Sequence, residues 1–410
     1  MNLRNTAEQI YKSAIEAALP DNAVKSALNR LNLTGNVYVV AVGKAAWQMG
    51  NTATHVLGNA VKDGIVITKH GYSSGEISGL KVFTAGHPVP DKAGYRATEA
   101  VIELVKPLGE NDTVLFLLSG GGSALFEKPL IPESDTERLT MELLGSGMDI
   151  VEMNIIRKRF SGVKAGRFAQ IAAPAKVYTI VLSDVIGDRL DMIASGPAAP
   201  DSSTSEQALD LARRYNLSLT DEMKMLLKCE TPKQLDNVET YVTGSVKQLC
   251  ASASESCARL GFEPIILTES LSCTAMDAGI FLSNIAQKYA SSGRQLAFIA
   301  GGETVVRLSG KGLGGRNQEI ALAAAERIAG LKNVCIFSVG SDGTDGPTDA
   351  AGGYVDGETK AMLERKGIRI FDILRDNDSY YALDAVGGLI KTGATGTNVN
   401  DLSVLLIDKL

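Results

Sequence analysis

Short apolar runs alternate with helix-spaced segments over the first half of this chain, and few architectures accept that alternation. Residues 37–42, 64–68, 81–84, 113–118 and 177–182 are rich in aliphatic and β-branched side chains, as strands buried in a sheet are. Between them, 44–59, 91–106 and 134–147 carry apolar residues at the spacing of one helix face. Strand and helix in turn predict an α/β fold around a largely parallel sheet. Strands near 240–243, 263–267, 296–300, 304–309, 333–339 and 402–407 follow less regularly. The runs 296–300 and 304–309 are close enough for a hairpin, so a mixed sheet is expected there. The polar stretch 229–239, with Pro232, sets the boundary between expected domains 1–235 and 236–410.

A chain of 410 residues, 45% hydrophobic, has material for two or three cores. Its net charge of −6 supplies no global attraction for nucleic acid or an anionic membrane. Five cysteines at irregular spacing, with no C-x-x-C pair, point to reduced thiols rather than a disulfide framework or zinc site. Residues 1–19 mix charged and apolar positions as an amphipathic helix does, unlike a signal peptide, and no apolar run matches a bilayer. A cytoplasmic protein without nucleic-acid or membrane partners is the expectation.

Anion recognition must then come from local clusters, and several stand out. Gly310, Gly312, Gly314 and Gly315 surround Lys311 and precede Arg316, where Asn317 opens a helical pattern. Backbone N–H groups and a helix start meet there, which predicts a flexible anion-binding loop of Gly314, Gly315, Arg316 and Asn317. Residues 37–42 end in Gly43-Lys44, which places a lysine at the carboxyl end of a strand. Residues 113–118 end in Ser119-Gly120-Gly121-Gly122-Ser123, a phosphate cradle in composition. The segment 154–167 carries Arg157, Lys158, Arg159, Lys164 and Arg167 and no acid. Asn154, Arg157, Lys158 and Ser161 share one helical face there, a solvated basic face or a substrate contact. Two acidic loops follow strands, one with Asp184 and Asp188, the other with Asp342, Asp345 and Asp349. One or two such carboxylates suffice for a Mg²⁺ ion that keeps its waters. A general base is expected at Asp184 or Asp188, the other serving the metal together with Asp342.

Two literal motif matches lack their context. Gly71-Tyr72-Ser73-Ser74-Gly75 fits G-x-S-x-G, but no helix pattern follows it. Gly310–Gly315 fits G-x-G-x-x-G, but no acid lies about twenty residues further on. His87, in the stiff loop 86–91, is expected to be a turn residue.

Read together, AVGKA (41–45), GHPVPD (86–91), LLSGGGSA (117–124), EMNIIRK (152–158), LSDVIGDRLDMIASGP (182–197), GGETVVRLSGKGLGGRNQE (301–319), SDGTDGPTDAAG (341–352) and TGATGTNVNDL (392–402) resemble the class II glycerate kinases. The carboxyl-terminal part of that family is the MOFRL domain, here about 295–405. Ile186 stands where the family commonly has proline. The resemblance implies ATP- and Mg²⁺-dependent phosphorylation of D-glycerate to 2-phosphoglycerate. It also implies a Rossmann-like first domain, a mixed α/β second domain and an active site in the cleft between them. Lys44 and Arg316 take the positions of the family's proposed catalytic lysine and arginine. Ser119–Ser123, Asn154, Lys158, Gly314, Gly315 and Asn317 are assigned to substrate and phosphate, Asp184 to catalysis, and Asp188 and Asp342 to metal. The oligomeric state stays open, a homodimer included. The rivals are an NAD(P)H-dependent hydroxypyruvate reductase and a non-catalytic nucleotide- or glycerate-binding protein.

Overall fold

The computed structural model describes residues 2–33, 35–183 and 189–409. The first sheet is built from β1 (Asn36–Val42), β2 (Val61–Lys69), β3 (Lys81–Ala85), β4 (Asp112–Leu118), β5 (Lys176–Leu182) and β6 (Val238–Gly244). Its order is β3-β2-β1-β4-β5-β6, and every pairing from β3 to β5 is parallel. That is the doubly wound order of a Rossmann-like fold, whose crossovers diverge between β1 and β4. Helices Ala46–Leu57 and Lys92–Val105 supply two of the crossovers. Strands β1 and β4 pair in register from Asn36/Asp112 to Val42/Leu118, so their carboxyl ends are level. Both are buried along nearly their whole length, which is why they read as continuous apolar runs rather than alternating ones.

The second sheet contains β7 (Glu263–Leu271), β8 (Leu296–Gly302), β9 (Val334–Gly340), β10 (Gly352–Asp356), β11 (Leu389–Ile390) and β12 (Asp401–Ile407). Its order is β11-β10-β9-β12-β8-β7, antiparallel throughout except for β7 beside β8. The sheet is mixed as expected, but the hairpin is not formed. Strand β8 has β12 and β7 as its neighbours, and of residues 304–309 only Val305 makes a β-bridge, to Thr274.

By contacts the chain divides into a unit of residues 24–243 and a unit of residues 1–23 with 244–410. Residues 1–23 therefore belong with the later part of the chain, not with the segment that follows them. The reason is the apolar face of helix Leu3–Ala17. Ala7, Ile10, Tyr11 and Ala14 are buried in one cluster with Leu249 and Ala253 of helix Val246–Arg259 and with Phe337 and Val404 of the second sheet. Among the described residues, no helix is long and apolar enough to cross a membrane.

Ile10 is fully buried in that cluster. Ile10→Ala is expected to lower stability by about 2–4 kcal/mol in denaturant unfolding. A loss under about 0.5 kcal/mol, the range of a surface change, would mean that this helix is not part of the core.

Candidate active site

The level ends of β1 and β4 bring the first two sequence signals together. Lys44 donates its backbone N–H to Gly120 O at 2.9 Å, and the Ala45 N–H donates to Ser119 Oγ at 3.1 Å. Gly121 has φ +88°, a left-handed conformation natural to glycine, and a Cβ added there would lie 3.1 Å from His87 and 3.4 Å from the Lys44 side chain. A side chain at this position would be strained by that φ and would press on both neighbours. Among the described residues, the Lys44 ammonium has no carboxylate partner, and the Gly120 and Gly121 amides donate to no protein acceptor. His87, expected to be a turn residue, faces this loop. Burial, with Lys44 and Lys69 nearby, pushes its pKa below the ordinary 6.5, so it is neutral at pH 7.

Beside the loop opens a cavity of about 300 Å³. Gly120, Gly121 and Ser123 line it, with Arg157 and Lys164 from the basic segment. Helix Ile150–Arg159 starts on a capping box formed by Asp149 and Glu152, which fixes where its basic residues emerge. The solvated basic face is not what forms. Lys158 is 1% exposed and pairs with Asp201 at 3.1 Å and Asp191 at 3.6 Å. Arg159 is fully buried and donates to the carbonyls of Cys229 and Ser203. Arg167 donates to the carbonyls of Lys158 and Ser161, and Lys164 pairs with Glu127. Asn154 is buried and accepts from Ser195 Oγ, which also contacts Ser123 Oγ. Four of these five cations are therefore engaged by the protein, and Lys158 is among them. The Arg157 side chain alone has no hydrogen bond or ion pair among the described residues, and it lines the cavity.

Arg316 opens helix Arg316–Ile328 and is held by a fork. Its Nε and Nη2 donate to the Asp401 carboxylate at 2.5 and 3.1 Å, and Nη1 donates to Glu303 at 2.9 Å. Burial works against the guanidinium charge, but Asp401 and Glu303 more than offset it and raise its pKa. The place given to a ligand at this helix start is taken by Asp345. Its carboxylate accepts from the Asn317 N–H at 3.1 Å and the Gln318 N–H at 2.9 Å. Asn317 is buried, with its side-chain oxygen accepting from Ser338.

Nor does the preceding glycine loop hang free. The N–H groups of Ser309 and Gly310 donate to Asn377 Oδ1, Lys311 to Asp376, and Leu313 to Asp378. A Cβ on Gly314 would come within 2.3 Å of Ser379 Oγ, and one on Gly315 within 2.2 Å of Asp345. These glycines permit close packing between chain segments, which explains their number without a ligand. Asp342 accepts from the Thr344 N–H at 2.9 Å. Among the described residues, no three His, Cys, Asp or Glu side chains gather as a metal site. Asp184, Ile186 and Asp188 lie outside the described residues.

The sequence singled out Asp345 in an acidic loop but not as the cap of the Arg316 helix, and it missed Asp401, Glu303 and Glu127. Asp401 carries a signal, an acid at the head of an otherwise apolar strand; the other two do not differ in pattern from surface acids.

Comparison with known proteins gives two family matches, to a domain of unknown function (DUF4147) over residues 6–228 and to the MOFRL family over 296–401. The D-glycerate 2-kinase of Thermotoga maritima is 50% identical over 99% of both chains. The glycerate 2-kinase of Pyrococcus horikoshii is 38% identical over 99% of this chain and 98% of its own. The crystal structure of a Thermotoga maritima glycerate kinase superposes with TM-score 0.96 at 51% identity, covering 99% of each chain.

Burial pushes the Asp345 carboxyl from its ordinary 3.8 up to about 6, against the pull of the Gln318 and Asn317 amides. The folded form binds this proton more tightly than the unfolded chain does. Its contribution to stability is therefore full below pH 4 and falls as pH rises through 6. A shift of this size corresponds to about 2–3 kcal/mol. Asp345→Asn should flatten the fall in stability between pH 4 and pH 7, followed by urea unfolding. An unchanged profile would refute the assignment.

Proposed function

The chain belongs to the glycerate 2-kinase family, carrying the DUF4147 and MOFRL parts in that order, and from that premise we propose how its residues phosphorylate D-glycerate with ATP. The observation that carries this reading is the pairing of Lys44 with the Ser119–Ser123 loop at the β1/β4 switch point, where doubly wound sheets bind their ligands. Phosphoryl transfer asks mainly for positioning and charge neutralisation. Lys44 supplies a positive charge that no carboxylate shares among the described residues. The Gly120 and Gly121 amides supply donors that need no side-chain rearrangement. Arg316 has five N–H donors, of which three are engaged. Asp401 orients it, and the remaining two face the charge that develops on the transferring phosphoryl group.

Asn154 and Lys158 act behind the loop, Asn154 through Ser195 and Ser123, Lys158 by holding Asp191 and Asp201. Gly314, Gly315 and Asn317 set the position of Arg316 through Asp345. Mg²⁺ spreads the phosphate charge when bound. Asp342, with a single hydrogen bond on its carboxylate, and Asp188 are the residues proposed to hold it, a number that suits an ion keeping several waters. Asp184 is the proposed general base. Meeting of Lys44 and Arg316 on one substrate, and a cytoplasmic location, are parts of the same proposal.

The test is ADP formation that depends on D-glycerate, run beside hydroxypyruvate-dependent NADH oxidation. Turnover in the second assay and none in the first would replace the kinase by a reductase, and saturable binding with no turnover would leave a binding protein. Lys44→Ala should lower kcat by about 10³ or more while KM for ATP changes little. Arg316→Lys keeps a charge for Asp401 but loses the planar fork, so kcat should fall steeply without unfolding. The double variant should be barely worse than the poorer single one, as for groups acting as a unit. Additive losses would show two separate sites.

A further inference from the structure

Two groups in the cavity beside the glycine loop lack what their chemistry requires. Glu127 is 8% exposed; one carboxylate oxygen pairs with Lys164, and the other, Oε1, is buried with no hydrogen-bond partner among the described residues. Arg157, on the same cavity, has no partner for its guanidinium among the described residues, and burial lowers its pKa below the ordinary arginine value. Arg157 feels the Glu127 charge, yet the two form no ion pair. An orphaned buried acceptor costs about 1–3 kcal/mol, and Arg157 is half-buried with its charge unmatched. Both residues line one cavity, where a single ligand can meet both.

We propose that Arg157 and Glu127 together bind the phosphate acceptor, Arg157 taking the carboxylate of a small hydroxy acid and the Glu127 carboxylate, which lines the same cavity, accepting from its non-reacting hydroxyl. Charge agrees with this. Arg157 and Lys164 against Glu127 leave one positive charge, matched by one carboxylate, while the neighbouring His87 is neutral. Ile131, Leu139, Leu143 and Phe160 on the cavity wall lower the local dielectric and strengthen both contacts. A hydroxy acid anchored at both ends presents its remaining hydroxyl between them, beside the Gly120–Ser123 loop. The discrimination follows from Glu127. Lactate offers the same carboxylate and 2-hydroxyl with a methyl in place of the hydroxymethyl group, and would leave the Glu127 carboxylate without that donor.

This inference rests on the kinase reading, and its test separates the two. Wild type must first show glycerate-dependent ADP formation; if it does not, the kinase reading has failed. With that in hand, Arg157→Met should raise KM for D-glycerate at least tenfold and leave KM for ATP within twofold. Its melting temperature should stay level or rise, because no partner among the described residues is lost; a structural arginine would instead destabilise on removal. Arg157→Lys, which keeps the charge without the fork, should recover only part of the affinity. Glu127→Gln should narrow the preference for D-glycerate over D-lactate at least tenfold, read as the ratio of kcat/KM values. If Arg157→Met raises KM for ATP instead, the cavity holds the nucleotide and the proposal is wrong. An unchanged KM for glycerate in a folded Arg157→Met variant, or an unchanged glycerate-to-lactate ratio in Glu127→Gln, overturns it as well.

Discussion

Everything in the first unit depends on β1 and β4 lying side by side, parallel and level. Their hydrogen-bonded register ends at Val42 and Leu118, so the residues that leave the sheet, Gly43-Lys44 and Ser119-Gly120-Gly121, leave at one height. The crossovers of a doubly wound sheet diverge at that point, and a crevice opens there without any segment having to be carved for it. The Lys44 N–H to Gly120 carbonyl bond closes the two turns on each other. From that closure follow the approach of His87 to Gly121 and the open mouth of the neighbouring cavity.

Cations in this protein are best understood by what already neutralises them. Lys158, Arg159, Lys164 and Arg167 lie in one segment and are engaged by carboxylates or carbonyls, Lys158 and Arg159 almost without exposure. Breaking such a buried pair by removing one member costs about 3–5 kcal/mol, so these residues are tied to stability. Lys44 and Arg157 have no such partner among the described residues. Arg316 stands between the two classes, forked onto Asp401 and still carrying donors to spare. The ordering from engaged to unengaged is also an ordering from fold to function.

The fold was legible because burial writes itself into composition. Strands β1, β4, β8 and β12 are apolar runs, and their place in the two sheets agrees with the α/β reading. Residues 304–309 carry Val305, Val306 and Leu308 as an extended segment does, but both edges of β8 were taken, and nothing local in the chain reports a neighbour's edge. Strand β10, Gly352–Asp356, opens on two glycines and carries no apolar run, so pairing with β9 makes it a strand where propensity does not. At the site, Lys44 and the glycine loop stood out because glycines and a lone lysine after an apolar run are unusual. Arg157 did not, since five basic residues in fourteen look alike until their partners are known. The glycines before Arg316 signalled a close approach correctly and its object wrongly. What approaches is Asp345 and the 376–379 segment of the chain itself.

Helix Leu3–Ala17 has a consequence for how the molecule is made. Its apolar face is completed by Phe337 and Val404, residues that follow it in synthesis by more than 300 positions. At roughly 5–20 residues per second that interval is about twenty seconds to over a minute. Through this time the 24–243 unit can close on contacts of its own, while the segment before it waits with Ile10 and Tyr11 in water. A stretch that precedes the 24–243 unit in the chain thus finds its place only after that unit has been made. Chaperone dependence and early aggregation are therefore expected to be governed by a surface that the finished protein does not show.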